Sequence, residues 1–409
     1  MINRRSAWLL YLLTVFIAAW LLIDEPGDHG FVATGEPAPA STQTPVIQTE
    51  FMSGGLTNEV HSATAVELAN GDIGVFWYAG TREGGSDVAI YSRFLHKSKD
   101  RSQISSWSEI HQVVDRTGST KGLNRHIRKL GNPLALYHQE RLWLFYVTVS
   151  VGGWGGSSIN LVQSKDNGKT WGRPRRLVTS PFINLSTLVK ERAIVLDDSS
   201  ILLPVYHEFI GKFSELLHLD PDGEVIEKYR VSHGSGAIQP VAVPLSKKSA
   251  VVFMRNTTED QSSSILSSLC NDGGSDCQAL HSLELPNPNS AVTGVSLDNP
   301  GELLLVFNND KKQRNDLTLA YTADYQVGKS GQWKILYEFE SEAGEKADGE
   351  ILHNPYSYPF LVKTSTGDFH LFYSWRKKYI KHVFFNRAAL NEMLIGKPLP
   401  EHKPNMAAH

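Results

Sequence analysis

Residues 158–171 read SINLVQSKDNGKTW, an alternating run that breaks into an acid, a glycine and a tryptophan at fixed offsets. The alternation predicts a half-buried strand. In the turn that follows, Asp166 can accept hydrogen bonds from backbone amides and Gly168 can supply a positive φ. Trp171 is then free to fold back as an apolar plug. Weaker copies occur at 98–107, SKDRSQISSW, and at 322–333, TADYQVGKSGQW.

The strand before this turn is the third member of a larger unit, a hairpin of apolar strands around a polar turn. The hairpins are TAVELANGDIGVFWYAG (64–80), NPLALYHQERLWLFYVTVS (132–150), AIVLDDSSILLPVYHEF (193–209), PVAVPLSKKSAVVFMRN (240–256), AVTGVSLDNPGELLLVFNN (291–309) and PFLVKTSTGDFHLFYSW (359–375). Their turns fall near Asp72, Gln139, Asp198, Ser246, Asn299 and Gly367. The mean step of about sixty residues suits a four-stranded antiparallel sheet with loops, and repetition at that period predicts a β-propeller of six blades over 51–390. A sandwich requires no such regular period. SKDNGKTW becomes the turn between the outer strands of blade two. Cys270 and Cys277 flank NDGGSD at the matching place in blade four, where a disulfide closing the turn is expected rather than two unrelated thiols.

The bulk properties exclude more than they select. The chain has 409 residues, a formal net charge of −3 and a hydrophobic fraction of 41%. A nearly neutral chain gives no support for nucleic-acid binding. There is no P-loop, no GxGxxG after a strand, no HExxH and no paired CxxC, so neither a nucleotide cofactor nor a metal is expected. Arg4 and Arg5 precede an uncharged apolar run, Ser6–Ile23. As a helix that run rises about 27 Å, the thickness of a hydrocarbon core. It predicts an uncleaved anchor spanning residues 1–23, in preference to a signal peptide cleaved before secretion. The arginines would stay cytoplasmic and leave the propeller in the periplasm of an inner-membrane, single-pass protein. Residues 24–50, rich in Pro, Thr, Gly and Ala, read as a tether, and 391–409 as a C-terminal tail.

SKDNGKTW is an Asp-box, or BNR repeat. With the six-hairpin period it makes 51–390 resemble the sialidase superfamily, and NGDIGVFWYAGTREGGSDVAIY (70–91), LLPVYHEF (202–209) and LPNPNS (285–290) resemble its bacterial sialidase-like branch. The resemblance implies an exo-α-glycosidase. Three arginines would bind the carboxylate of a 2-keto sugar acid, which guanidinium forks suit. A tyrosine polarised by a glutamate would be the nucleophile, since an anionic one is repelled by that carboxylate, and an aspartate would be the general acid and base.

Carried over position by position, Arg255 in VVFMRN resembles the second arginine and Arg314 in NNDKKQRND the third. Tyr358 in SYPFLVKTSTG resembles the nucleophile, with Tyr356 as rival. Where the family has its first arginine this chain has His61, a weaker anchor, and Arg82 is the nearest substitute cation. Where the tyrosine's glutamate belongs stands Gln239, which cannot act as a base. Glu208 is the expected substitute, with His207 beside it; in a strand only one of these neighbours can face the pocket. For the general acid the REGGSD loop offers Asp87 first and Glu83 second. NRHIRK (124–129) reads equally as a solvated basic loop or an anion site. Three functions follow. The first is an exo-glycosidase acting on a terminal sialic acid or related acid such as Kdo, on lipopolysaccharide or another glycoconjugate. The second is a carbohydrate-binding propeller without catalysis, and the third a structural propeller.

Overall fold

The computed structural model describes residues 29–32, 44–97, 106–180, 184–234, 236–258, 263–341 and 354–399, together with Trp8, Tyr11, Leu13 and Thr14. Six antiparallel sheets follow one another along the chain. Their inner hairpins are Glu59–Glu67 and Ile73–Gly80, Lys129–His138 and Arg141–Val149, Ile194–Val195 and Ile201–His207 (with Leu188–Val189 pairing the far part of the latter), Ala237–Pro244 and Ser249–Asn256, Thr293–Ser296 and Leu303–Phe307, and Tyr356–Lys363 and Phe369–Trp375. Each pair encloses one of the expected turns, so the six-bladed all-β propeller read from the period is the fold.

The second strands are apolar on both faces because a neighbouring blade covers each side; all of Ile73–Gly80 is buried. Trp77, Trp143, Phe145 and Phe253 lie in these interfaces with 1% exposure or less. Burying one such ring stabilises the fold by about 3 kcal/mol. The outermost strands face solvent, as in Lys334–Ser341.

Closure differs from the sequence expectation at both chain ends. Strand Ile47–Phe51 pairs with Tyr379–Phe385 and supplies the outer strand of blade six, so the last residues read as tether belong to the propeller. His29–Val32 also packs against it: Phe31 is 1% exposed and bridges Leu196. A helix, Arg387–Leu394, runs into the stretch read as tail and buries Ala389, Leu390 and Met393. Asn386 caps it, accepting from Ala389 N at 2.9 Å, and also accepts from Val46 N at 3.0 Å, which ties the two chain ends together. The apolar run Ser6–Ile23 lies, but for four residues, outside the described residues; among the described residues no helix is long and apolar enough to cross a membrane.

The Asp-box is a satisfied turn. Asp166 accepts from Thr170 N at 2.8 Å, from Thr170 Oγ1 at 2.5 Å and from Ser164 Oγ at 2.7 Å. Gly168 has φ +87°, and its N–H reaches Ser164 Oγ at 2.8 Å. Trp171 meets Phe76 of blade one edge to face at 5.8 Å. Trp333 meets Phe253 of blade four, and Trp107 meets His382 of blade six. Each tryptophan therefore staples its blade to the preceding one. In blade four the Cys270–Cys277 disulfide stands in that place.

Candidate active site

Blade topology brings the starts of the inner strands, the ends of the second strands and the loops leaving them to one mouth. Several inner strands carry a register shift there: between His61 and Thr64, Ile238 and Val241, and Ser357 and Phe360. Ser62, Gln239 and Tyr358 sit in these bulges with φ of 50°, 52° and 54°. A bulge re-aims side chains off the regular alternation, and a non-glycine residue with positive φ stores strain. The bulge also separates the two rival tyrosines. Tyr356 is 1% exposed and packs on Tyr373 in the core, whereas Tyr358 is half-buried at the mouth.

Arg255 and Arg314 converge on one residue. Arg255 donates from Nε to Asn289 Oδ1 at 2.7 Å and from NH1 to Gln239 Oε1 at 3.1 Å. Arg314 donates to the Asn289 carbonyl, and its Nε is buried without a hydrogen-bond partner. Burial, then the charge of Arg255, pulls the Arg314 guanidinium down to about 10; Tyr358 and Glu83 oppose this. Arg314 therefore stays cationic at neutral pH. Two like charges at close quarters with an unsatisfied donor form a site for a planar anion.

Tyr358 lies beside them, its ring edge to face with His61 at 4.5 Å and 6.0 Å from the Lys190 ammonium. His61 is 5% exposed and exchanges a hydrogen bond with Ser374 Oγ at 3.0 Å. Burial and the cations Lys377, Arg314, Arg255 and Lys190 drop its pKa to about 3. At the place of the family's first arginine there is thus a neutral ring.

The REGGSD loop divides its two acids. Asp87 turns back on its own loop, accepting from Thr81 N at 2.7 Å and Thr81 Oγ1 at 2.9 Å, and these bonds lower its pKa. Arg82 is exposed on the same loop and is a charge neighbour of Asp87. Glu83 is the acid that reaches the site. Its Oε2 lies 3.8 Å from His61 Nε2 and 3.6 Å from Lys377 Nζ. It also hydrogen-bonds Tyr78, whose phenol is raised well above its usual range by burial and then by Glu83.

On blade three the strand alternation separates His207 from Glu208. His207 stacks on Phe213 at 4.5 Å and accepts from Ile210 N, away from the mouth. Glu208 is half-buried and its pKa is raised by burial, with Arg255 and Lys212 opposing. It faces Tyr206, a buried phenol raised by desolvation, then by Glu208 and by Tyr358. Gln239 stands between Arg255 and Tyr206, its Nε2 3.5 Å from the phenol oxygen.

Below the mouth a buried polar hub joins the inner strands. Lys190 donates to Glu191 and to Pro359 O, and Glu191 accepts from Thr293 Oγ1 at 3.1 Å. Sequence reasoning missed Lys190, Tyr78, Tyr206, Asn289 and Lys377. Tyr78 and Tyr206 occupy matching places near the ends of second strands, so aligning the hairpins was the available signal. In the basic stretch 124–129, Lys129 lies over the Trp154 ring at 3.8 Å and feels the charge of Glu83.

The profile of the BNR repeat-like domain matches residues 71–371. No curated protein sequence matches the chain. Among solved structures, a variant of the NanB sialidase from Streptococcus pneumoniae superposes with a TM-score of 0.62 at 12% identity, over 83% of this chain and 70% of that one. A protein of unknown function from Dyadobacter fermentans gives 0.63 at 12% identity, over 83% and 97%. Trypanosoma rangeli sialidase in complex with sialic acid gives 0.60 at 13% identity, over 91% and 60%. At these identities the likeness concerns the fold. The profile match over most of the propeller places the family: the chain belongs to the BNR repeat-like domain family.

Proposed function

We propose that the chain is an exo-α-glycosidase of sialidase type, releasing a terminal 2-keto-3-deoxy sugar acid from a glycoconjugate. The convergence of Arg255 and Arg314 on Asn289, with Tyr358 beside Arg314, is the observation that carries it. In this scheme the two guanidiniums hold the substrate carboxylate, which orients the anomeric carbon toward the Tyr358 oxygen. Glu83 protonates the leaving oxygen and later activates water. Tyr358 forms the covalent intermediate, and configuration is retained. Gln239 cannot take the phenolic proton, which leaves Glu208 as the base: its charge and that of Tyr358 both act on the Tyr206 phenol between the two blades.

The neutral His61 weakens the grip on the carboxylate compared with three arginines. Kdo therefore stands beside sialic acid as a candidate, and the apolar run at 6–23 would hold the propeller in the periplasm near lipid-linked glycans. The same His61, with Gln239, favours a second reading, a carbohydrate-binding propeller without turnover. Fluorogenic α-sialoside and α-Kdo substrates test the first. Release from one of them is expected; folded protein that binds a sugar acid and releases neither leaves the binding role.

A further inference from the structure

At the end of the propeller opposite the mouth, the N-terminal segment meets blade three. The turn between Ile194–Val195 and Ile201–His207 carries Asp198, the distal part of Phe213–Leu219 carries His218, and His29 reaches over both. One donor atom from each of these three lies within 4.8 Å of the others. We propose that His29, Asp198 and His218 form a site for a first-row divalent cation of the zinc type, which clips residues 29–32 onto blade three.

The donor set of two imidazoles and one carboxylate suits Zn²⁺ and related ions rather than Ca²⁺ or Mg²⁺. The surroundings supply the outer partners such a site needs. Asp198 Oδ1 is fixed by Ser200 N at 2.9 Å and Ser200 Oγ at 2.6 Å, while its Oδ2 faces His29 Nδ1 at 2.8 Å. His218 Nε2 lies 2.8 Å from Ser200 Oγ, and its Nδ1 lies 3.3 Å from the Tyr229 hydroxyl, which donates to Glu227. A ligating imidazole whose second nitrogen is tied toward a carboxylate is the usual outer arrangement around such an ion.

Access and reach agree. His218 is buried, but the side chains of His29 and Asp198 are 25% and 38% exposed, so an ion can enter and keep a water ligand. Around a tetrahedral ion with bonds of about 2.0–2.1 Å the donors stand about 3.3 Å apart, so the His29–Asp198 pair opens slightly to admit the ion. The segment is already docked: Gly30 N donates to Asp197 Oδ1 at 2.9 Å, Phe31 N donates to Lys247 O at 2.8 Å, and Phe31 is buried. Sequence spacing hides the site, because its ligands stand at 29, 198 and 218.

The test uses the untagged full chain stripped with chelator, and variants H29A and H218Q. Titration with Zn²⁺ by calorimetry, and with Co²⁺ by its visible absorption, should give one site per chain. Affinity should fall at least 100-fold in each variant, and zinc should raise the melting temperature of the wild type alone. H29A removes a part-exposed side chain and serves as the reference if H218Q folds poorly. Wild-type protein that takes up neither ion, or H29A that binds as tightly as wild type, overturns the site. Glycosidase activity plays no part in the readout, so this outcome is independent of the proposed reaction.

Discussion

The two ends of the propeller come from one repeat and are built for opposite purposes. At the Asp-box end, polar groups find partners: Asp166 takes three hydrogen bonds, and each tryptophan locks its blade to the one before. At the mouth, Ser62, Gln239 and Tyr358 hold positive φ, Arg314 keeps a buried unpaired Nε, and two guanidiniums crowd one asparagine. One end stores stability and the other stores strain and uncompensated charge, as binding and catalytic sites do. Substitutions at the two ends should therefore separate cleanly into effects on turnover and effects on folding.

The largest effect is expected from Tyr358→Phe. It removes one oxygen at the mouth, and turnover of a released sugar acid should fall by about 10³-fold or more. The melting temperature should stay within about 2 °C, because no packing is lost. Equilibrium binding of the free sugar acid should persist, since the arginines remain. Steady-state kinetics together with calorimetry read both halves; turnover that survives the change removes Tyr358 from the chemistry.

Trp171→Ala is the counterpart at the other end. Deleting this ring opens the seam against Phe76, and stability should drop by about 3 kcal/mol in urea unfolding. At a temperature where the variant is folded, kcat/KM should match the wild type. A loss of activity without loss of stability would break the division between the ends.

The Asp-box end was legible in the sequence and the mouth only in part, for a physical reason. A turn such as SKDNGKTW is local: its acid, glycine and tryptophan act within a few residues, and the hairpin turns follow from short-range alternation. The mouth is assembled from separate blades, and its bulges break the alternation on which strand reading depends. Arg255, Arg314 and Tyr358 were found because a resemblance pointed to them. Lys377 and Asn289 were missed because a hairpin lysine or a loop asparagine carries no signal until the blades close. Asp87 was preferred to Glu83 by its offset from the arginine, but its two hydrogen bonds to Thr81 tie it to its own loop, and the carboxylate that meets His61 and Lys377 is Glu83. The role of His29–Val32 was invisible for the same reason: a stretch of linker composition gains a partner only when blade three is present.

That division of the REGGSD loop gives the next comparison. Glu83→Gln should cost about 10²-fold in kcat/KM with substrates whose leaving group needs a proton, and far less with an activated aryl leaving group. Asp87→Asn should leave both rates within a factor of a few. Comparing natural and aryl glycosides in each variant measures this. If Asp87→Asn gives the leaving-group dependence, the acid is the one the offset favoured.

The smallest effect lies in the pH dependence of the Asp-box. Hydrogen bonds from the Thr170 hydroxyl and amide, and from Ser164, hold the Asp166 carboxyl at about 2, below its ordinary 3.8. Above pH 5 this group is ionised in both folded and unfolded chains, so its contribution to stability is complete and constant. As pH falls through 3.8 the unfolded chain takes up the proton first, stability declines, and below pH 2 the contribution is gone. Asp166→Asn removes this titration while keeping an oxygen for Thr170. Unfolding midpoints of the two proteins should therefore differ most near neutral pH and converge toward pH 2, with activity at neutral pH unchanged. Solvent around the Asp166 carboxylate screens it and keeps the difference below that of Trp171→Ala. Midpoint curves that stay parallel from pH 6 to pH 2 would assign the stability of this turn to its tryptophan and glycine, leaving the acid with no electrostatic part.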